Sequence, residues 1–407
     1  MLTSRGRLVV ALAPVLYIVA WAAGSRALYP VAVGLALAAG VAWTWVFLLR
    51  GPLELHRATR GTEQYEGDDV DVGLELVPER SPAPSSAVVV DRVGRAGVVE
   101  AAVERQGKRL RGRYRLERLP RGRYAYLDSH AVIEDPFGLA RATVPLRAAG
   151  SLLVYPRLVE LDGLFTESGA DLHDGRRVLL RRATGFDLHS VREYQPGESL
   201  RRVHWRSTAH RGRLMVKELE DEPRDEVAVL LDTAASAVVG SPPDSSFDLQ
   251  VRAAGSLLRA HARRGRRVLL SIAGASRDEQ RVDGGDADWL RALELLASVE
   301  PARDVPAASL ASDEGAAAAA RALELVIVTA RLAPDLVERL GQRALSGGAV
   351  ALVYVHAPSF AGGRAPVREP ALLRLQALGI PVAVLRRGDD LQGALGAVSL
   401  QREAAGA

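Results

Sequence analysis

The chain has 407 residues, 48% hydrophobic and 25% charged, which is too long for a single core and too apolar for disorder. It has no cysteine, so disulfides, thiolate nucleophiles and cysteine-held zinc are excluded. The net charge is only +4, weak evidence for nucleic-acid binding, and of 53 basic residues only Lys108 and Lys217 are lysines, a bias that fits a GC-rich genome, with Arg chosen for bidentate recognition of phosphate or carboxylate as the alternative.

Residues 8–25 and 27–49 carry no charge. A helix rises about 1.5 Å per residue, so about 20 residues cross a bilayer core, and the two runs predict a transmembrane helical hairpin within residues 1–52. Gly24, Ser25, Arg26 and Pro30 mark its turn, while Trp21, Tyr29, Trp43 and Trp45 lie towards the ends, where amphipathic rings favour the interface. A cleaved signal peptide is the alternative for the first run, but the second run follows at once and would stop transfer. A buried core helix is the alternative for the second, against which stands its length without charge. Arg5 and Arg7 precede the pair, Arg50, Arg57 and Arg60 follow it, and only Arg26 lies between. Positive residues stay inside, so the soluble mass is expected on the cytoplasmic side of the cell (inner or plasma) membrane.

From residue 53 to 156 the pattern is strand-like. Val70, Val72, Leu74 and Leu76 alternate with Asp71, Gly73 and Glu75, a period of two. Short strands are also predicted over 88–90, 113–116, 124–127 and 152–155. The turn signals between them are Glu66-Gly67-Asp68, Ser81-Pro82-Ala83-Pro84, Arg121-Gly122 and Asp135-Pro136-Phe137-Gly138. This spacing predicts a β-sandwich-like domain. Residues 157–225 are polar and rich in Arg and Gly, a connector expected to be partly helical at its start.

From Glu226 the pattern changes. Apolar strands over 227–231, 268–272, 323–329, 349–355 and 381–385 alternate with helices over 247–264, 287–299, 334–345 and 370–378, with a short helix after the last strand. Continuous apolar strands alternating with helices predict a doubly wound parallel sheet over 226–400, covered on both faces.

Three segments carry a resemblance. The first is Arg121-Gly122-Arg123-Tyr124 followed by Asp135-Pro136-Phe137-Gly138-Leu139, and the second is Val154-Tyr155-Pro156-Arg157. The third runs from Val191-Arg192-Glu193-Tyr194-Gln195-Pro196-Gly197-Glu198 through Arg201-Arg202-Val203-His204-Trp205 to Leu214-Met215-Val216-Lys217-Glu218. Together they resemble the bacterial domain-of-unknown-function family 58, with Glu198 where that family usually has Asp and His210 where it commonly has Arg. The resemblance implies a β-rich middle region, a C-terminal von Willebrand factor type A-like domain, and a MoxR-type AAA ATPase as partner. It implies no established reaction.

The type A fold can hold a divalent metal through Asp-x-Ser-x-Ser after its first strand. Here the segment reads Asp232-Thr233-Ala234-Ala235-Ser236, so Asp232 and Ser236 match and Ala234 removes a hydroxyl. Ala330 and Arg331 stand where a later Asp is expected, so a magnesium site is degenerate and a metal-dependent hydrolase using Asp232 is the weaker reading. An aspartate phosphatase needs a second acid where Ala234 stands. No His-Glu-x-x-His pair, Gly-x-Ser-x-Gly elbow or phosphate loop occurs. Residues 176–213 hold ten arginines against Asp187, Glu193 and Glu198, followed by Glu218, Glu220, Asp221 and Glu222. An internal salt-bridge network or a docking surface accounts for them, with polyanion binding as a further alternative. Tyr194, Gly197, Glu198, Arg201, Arg202, His204, Trp205 and Arg206 are the candidate partner-binding residues, with Tyr194 and Trp205 expected to pack. The reading is a membrane-anchored, non-enzymatic adaptor that requires no cofactor and engages no nucleic acid.

Overall fold

The computed structural model describes residues 1–61, 63–79, 82, 84–147, 150–166, 188–193, 205–219, 226–273, 278–283, 285–302, 319, 322–362 and 369–396. They fall into two units, Met1–Tyr155 and Pro156–Ala407.

In the first unit, helix α1 (Ser4–Ala22) starts earlier than its uncharged run because Thr3 caps it, the hydroxyl accepting from Gly6 N at 3.0 Å. Helix α2 is Leu28–Leu49. Both are long and apolar enough to cross a membrane, and only 17% and 22% of their most apolar windows are buried, unlike core helices. Ala13 and Ala20 of α1 and Ala32 and Ala39 of α2 are buried, and Ala13, Ala32 and Ala39 line a cavity that both helices border. The rings of Tyr17 and Tyr29 meet edge-on at 5.2 Å. Leu8, Leu37 and Val41 face outwards. In water such a surface would form a large apolar patch.

Strand β1 (Leu53–Thr59) follows α2 directly, then β2 (Gln64–Tyr65), β3 (Val70–Pro78), β4 (Ser86–Val93), β5 (Gly97–Gln106), β6 (Arg109–Leu116), β7 (Gly122–Glu134), β8 (Arg141–Arg147) and β9 (Ser151–Tyr155). Among the described residues seven of these close a ring in the order β7-β4-β5-β6-β3-β1-β8, because β8 pairs with both β7 and β1. The expected sandwich is therefore a barrel. Strand β8 makes the difference by pairing with β1 as well as with the second half of β7, while the first half of β7 pairs with β9, which carries β2 outside the ring. Closure leaves no bare edges on the ring. The alternation in β3 is realised, with Val70, Val72, Leu74 and Leu76 buried alongside Val89, Val103, Leu110 and Ile133. Leu49, at the end of α2, reaches into the same core.

In the second unit, β10 (Leu188–Glu193) pairs antiparallel with β11 (Met215–Leu219), and α3 (Trp205–Arg211) lies between them in sequence. The large sheet comprises β12 (Glu226–Asp232), β13 (Arg267–Ala273), β14 (Asp278–Val282), β15 (Glu324–Thr329), β16 (Ala349–Val355) and β17 (Val382–Leu385). Its order among the described residues is β14-β13-β12-β15-β16-β17. All neighbours are parallel except β13 and β14, so the sheet is mixed and the purely parallel expectation is corrected. Strand β14 reads Asp-Glu-Gln-Arg-Val, an exposed edge without an apolar run to betray it.

Helices α4 (Ser246–Arg263), α5 (Asp286–Ser298), α6 (Pro334–Leu345), α7 (Pro370–Ala377) and α8 (Leu391–Leu395) pack on this sheet. Val227, Val229 and Leu231 of β12 join a core with Val251, Leu257 and Leu258 of α4 and with residues of α5 and α8. Ala228 and Leu230, pointing the opposite way, join Leu336, Leu340 and Leu375 of α6 and α7. Helix α4 begins with a reciprocal cap between Ser245 and Asp248. Residues 156–166 hold no helix. Leu164 and Phe165 enter the core, Val159 N donates to Ser256 Oγ at 3.0 Å, and Glu160 pairs with Arg263 at 2.7 Å.

Candidate functional site

Strands β12 and β15 are neighbours whose chains leave the sheet in opposite lateral directions. Their C-terminal ends form the topological switch point, the place where open α/β sheets commonly bind ligands. Asp232 ends β12 and Thr329 ends β15, and both are buried. Thr329 Oγ1 donates to Asp232 Oδ2 at 2.7 Å, and Ala234 N donates to Asp232 Oδ1 at 3.1 Å. Thr329 Oγ1 also accepts from Arg331 N at 3.0 Å. Arg331 Nη1 donates to Ser236 Oγ at 3.4 Å. The two candidate metal ligands thus have protein partners: Asp232 a hydroxyl and an amide, Ser236 a guanidinium.

This set does not fit a divalent cation, which wants six or more oxygens, several of them anionic. Among the described residues there is no group of three His, Asp or Glu side chains suited to a metal, and the fixed charge of Arg331 lies at Ser236. Thr329 escaped the sequence reading, which sought an acid just beyond it.

The signature segment is only partly described. Tyr194, Gly197, Glu198, Arg201, Arg202 and His204 lie outside the described residues. Trp205 and Arg206 open α3. Trp205 is 68% exposed, so it does not pack as expected. Among the residues whose burial is described, Met215 is buried, and its N–H donates to Thr208 Oγ1 at 3.0 Å, which ties α3 to β11. Arg206, next to Trp205 in the chain, is exposed, as are His210, Arg211 and Arg213 further along, and Arg206 makes no ion pair among the described residues. Glu218 sits in β11 opposite Ser190, and the acids at 220–222 lie outside the described residues.

A third cluster lies inside the barrel. Asp91 accepts from Arg57 Nε at 2.8 Å, Arg57 Nη2 at 2.9 Å, Tyr114 Oη at 2.9 Å and Ser129 Oγ at 2.7 Å. Arg57 lies over the Tyr126 ring at 3.9 Å. Burial raises the Tyr114 hydroxyl above its ordinary range, helped by Tyr126 and Asp91, and burial likewise raises Tyr126. All acceptor positions of the carboxylate are filled, so the cluster is a structural bracket. Its only sequence trace is an Arg and an Asp at inward positions of alternating strands.

A family model described as "Protein of unknown function DUF58" matches residues 190–357. The uncharacterized protein YeaD of Bacillus subtilis (strain 168) is 24% identical over 240 residues, 59% of this chain and 58% of its own length, so the chain spans less than two thirds of that relative. Solved structures with a likeness include BslA, a bacterial hydrophobin, at TM-score 0.17 and 12% identity, covering 27% of this chain and 98% of that one. Cwp6 from Clostridium difficile matches at TM-score 0.20 and 9% identity, covering 81% of this chain and 53% of that one. Scores this low carry nothing about fold. The family match across the signature segment and most of the large sheet, with the distant relative beside it, supports family DUF58, whose function is unknown.

Proposed function

We propose that this protein is a membrane-anchored, non-enzymatic adaptor whose cytoplasmic, type A-like domain docks a protein partner, a MoxR-type AAA ATPase being the partner that the family resemblance implies. The observation that carries the reading is the exposed Trp205 that opens α3, followed in the chain by the exposed Arg206. Trp and Arg dominate the few residues that supply most binding energy at protein interfaces, and a large indole left in water gains by being covered. Support for the type A-like assignment comes from the sheet order, the antiparallel edge strand, helices on both faces and Asp232 at the switch point. Support for anchoring comes from two apolar helices that are mostly unburied, and support for a cytoplasmic domain from the arginines flanking them.

The test is binding of a purified MoxR-type ATPase from the same genome to the full-length protein in nanodiscs, with and without ATP. Trp205→Ala with Arg206→Ala should weaken binding by roughly 30-fold or more, the size of an interface hot spot of about 2 kcal/mol, without lowering the melting temperature. Unchanged affinity in the double variant, or no binding by the native chain, refutes the proposal.

A further inference from the structure

The turn from β7 to β8 is built against the apolar helices. Thr3 N donates to Leu139 O at 2.9 Å, Thr3 Oγ1 donates to Gly138 O at 2.6 Å, and Leu2 bridges Ala140. A Cβ on Gly6 would lie 2.0 Å from Leu139 O, so the first turn of α1 approaches the loop as only glycine allows. On the other side Ala140 packs with Ala42 and Val46 of α2, joined by Leu2, Leu139 and Ala142. Inside the turn, Asp135 Oδ2 accepts from Phe137 N at 2.9 Å and Oδ1 accepts from Ala140 N at 2.5 Å, while Gly138 takes φ +65°. The loop is braced from within and on two sides.

At the tip of this braced loop stands Phe137, 76% exposed. Its packing partners elsewhere in the loop fix where that tip lies along the helices. Ala140 contacts Ala42 and Val46, so the turn sits level with the last two turns of α2. Trp43, Trp45 and Phe47 project outwards from those turns, and Arg50 lies over the Phe47 ring at 3.9 Å. Aromatic rings with a nearby arginine mark the headgroup level of a spanning helix. An exposed ring held rigidly at that level costs free energy in water and gains it at the boundary between headgroups and acyl chains.

We propose that Phe137 is a membrane anchor, with its ring entering the headgroup–acyl boundary of the leaflet at the N-terminus of α1 and the C-terminus of α2, so that the barrel is seated on phospholipid. The proposal rests on the membrane-spanning reading of α1 and α2. It adds a third point of membrane contact and fixes the tilt of the barrel against the bilayer.

Because the chain has no cysteine, a single one can be placed at will. Phe137→Cys, Leu37→Cys in the middle of α2, and Leu127→Cys, 65% exposed on β7, are each labelled with an environment-sensitive fluorophore. The full-length variants are reconstituted in phosphatidylcholine–phosphatidylglycerol vesicles carrying spin-labelled lipids. The label at 137 should be quenched, more strongly by shallow than by deep spin labels, the label at 37 more strongly by deep ones, and the label at 127 by neither. Quenching at 37 with none at 137 overturns the anchor and leaves the membrane reading standing. No quenching at 37 overturns the membrane reading and the anchor together.

Discussion

Replacing Asp91 with Asn tests the bracket inside the barrel. The carboxylate is fully buried and accepts four hydrogen bonds, two of them from Arg57, whose side chain is 7% exposed. Asn keeps the volume, removes the charge and turns one acceptor into a donor that faces other donors. Breaking one partner of a buried pair costs about 3–5 kcal/mol, because the remaining cation stays desolvated. At roughly 2–4 °C per kcal/mol for a unit of this size, the barrel transition should fall by about 6–20 °C. Removing both charges with Arg57→Met and Asp91→Leu should cost clearly less, since neither ion is then left alone. Calorimetry of the full chain in detergent reports the transition. Hydrogen exchange on β4 and β7 assigns the loss to the barrel. A drop under 2 °C for Asp91→Asn, or a double replacement worse than the single one, would show that the Arg57–Asp91 pair does not brace the barrel.

The Tyr354 hydroxyl is pushed up to about 12, first by burial and then by Glu369, whose Oε1 accepts from it at 3.4 Å. The unfolded tyrosine ionises near pH 10, so between about pH 10 and 12 the folded chain holds the extra proton and stability falls as pH rises, by on the order of 2–3 kcal/mol. Tyr354→Phe should flatten that fall and remove a late step from the tyrosinate absorbance titration. A magnesium or manganese titration by calorimetry should show no stoichiometric site tighter than about 100 μM, a site of about 5–6 kcal/mol. Such a site, lost in Asp232→Ala, would contradict the reading of the switch point. Gly6→Val should displace the β7–β8 turn, since its Cβ would meet Leu139 O at 2.0 Å, and should speed hydrogen exchange at residues 135–142 while β4 stays protected.

Legibility in the sequence followed the strength of the local pattern. The alternation from Val70 to Leu76 and the apolar runs of β12, β15 and β16 each bury a face or both faces, so composition and structure agree there. Barrel closure was not legible, because a strand with one buried face has the same period in a sandwich and a barrel. What distinguishes them is the pairing of β8 with β1 at Leu53–Leu146, a long-range contact that leaves no periodic trace. Strand β14 hid because an exposed edge tolerates polar residues. In the candidate site, Asp232 and Ser236 were visible as a broken motif, but Thr329 was not, since a threonine ending a β-rich run reads as strand propensity. Gly6 looked like one more small residue in an apolar helix, and only the approach of Leu139 O gives it a role.

In the proposed function, a cytoplasmic domain presents Trp205 to a protein partner. A photo-crosslinking residue at position 205 of the full-length protein in intact cells, with position 127 as the control, decides whether it does. Position 205 should form an adduct with a MoxR-type AAA ATPase in the membrane fraction, altered when ATP is depleted, and position 127 none. No adduct at 205, or one formed only with a protein on the outer face of the membrane, would contradict the proposed function.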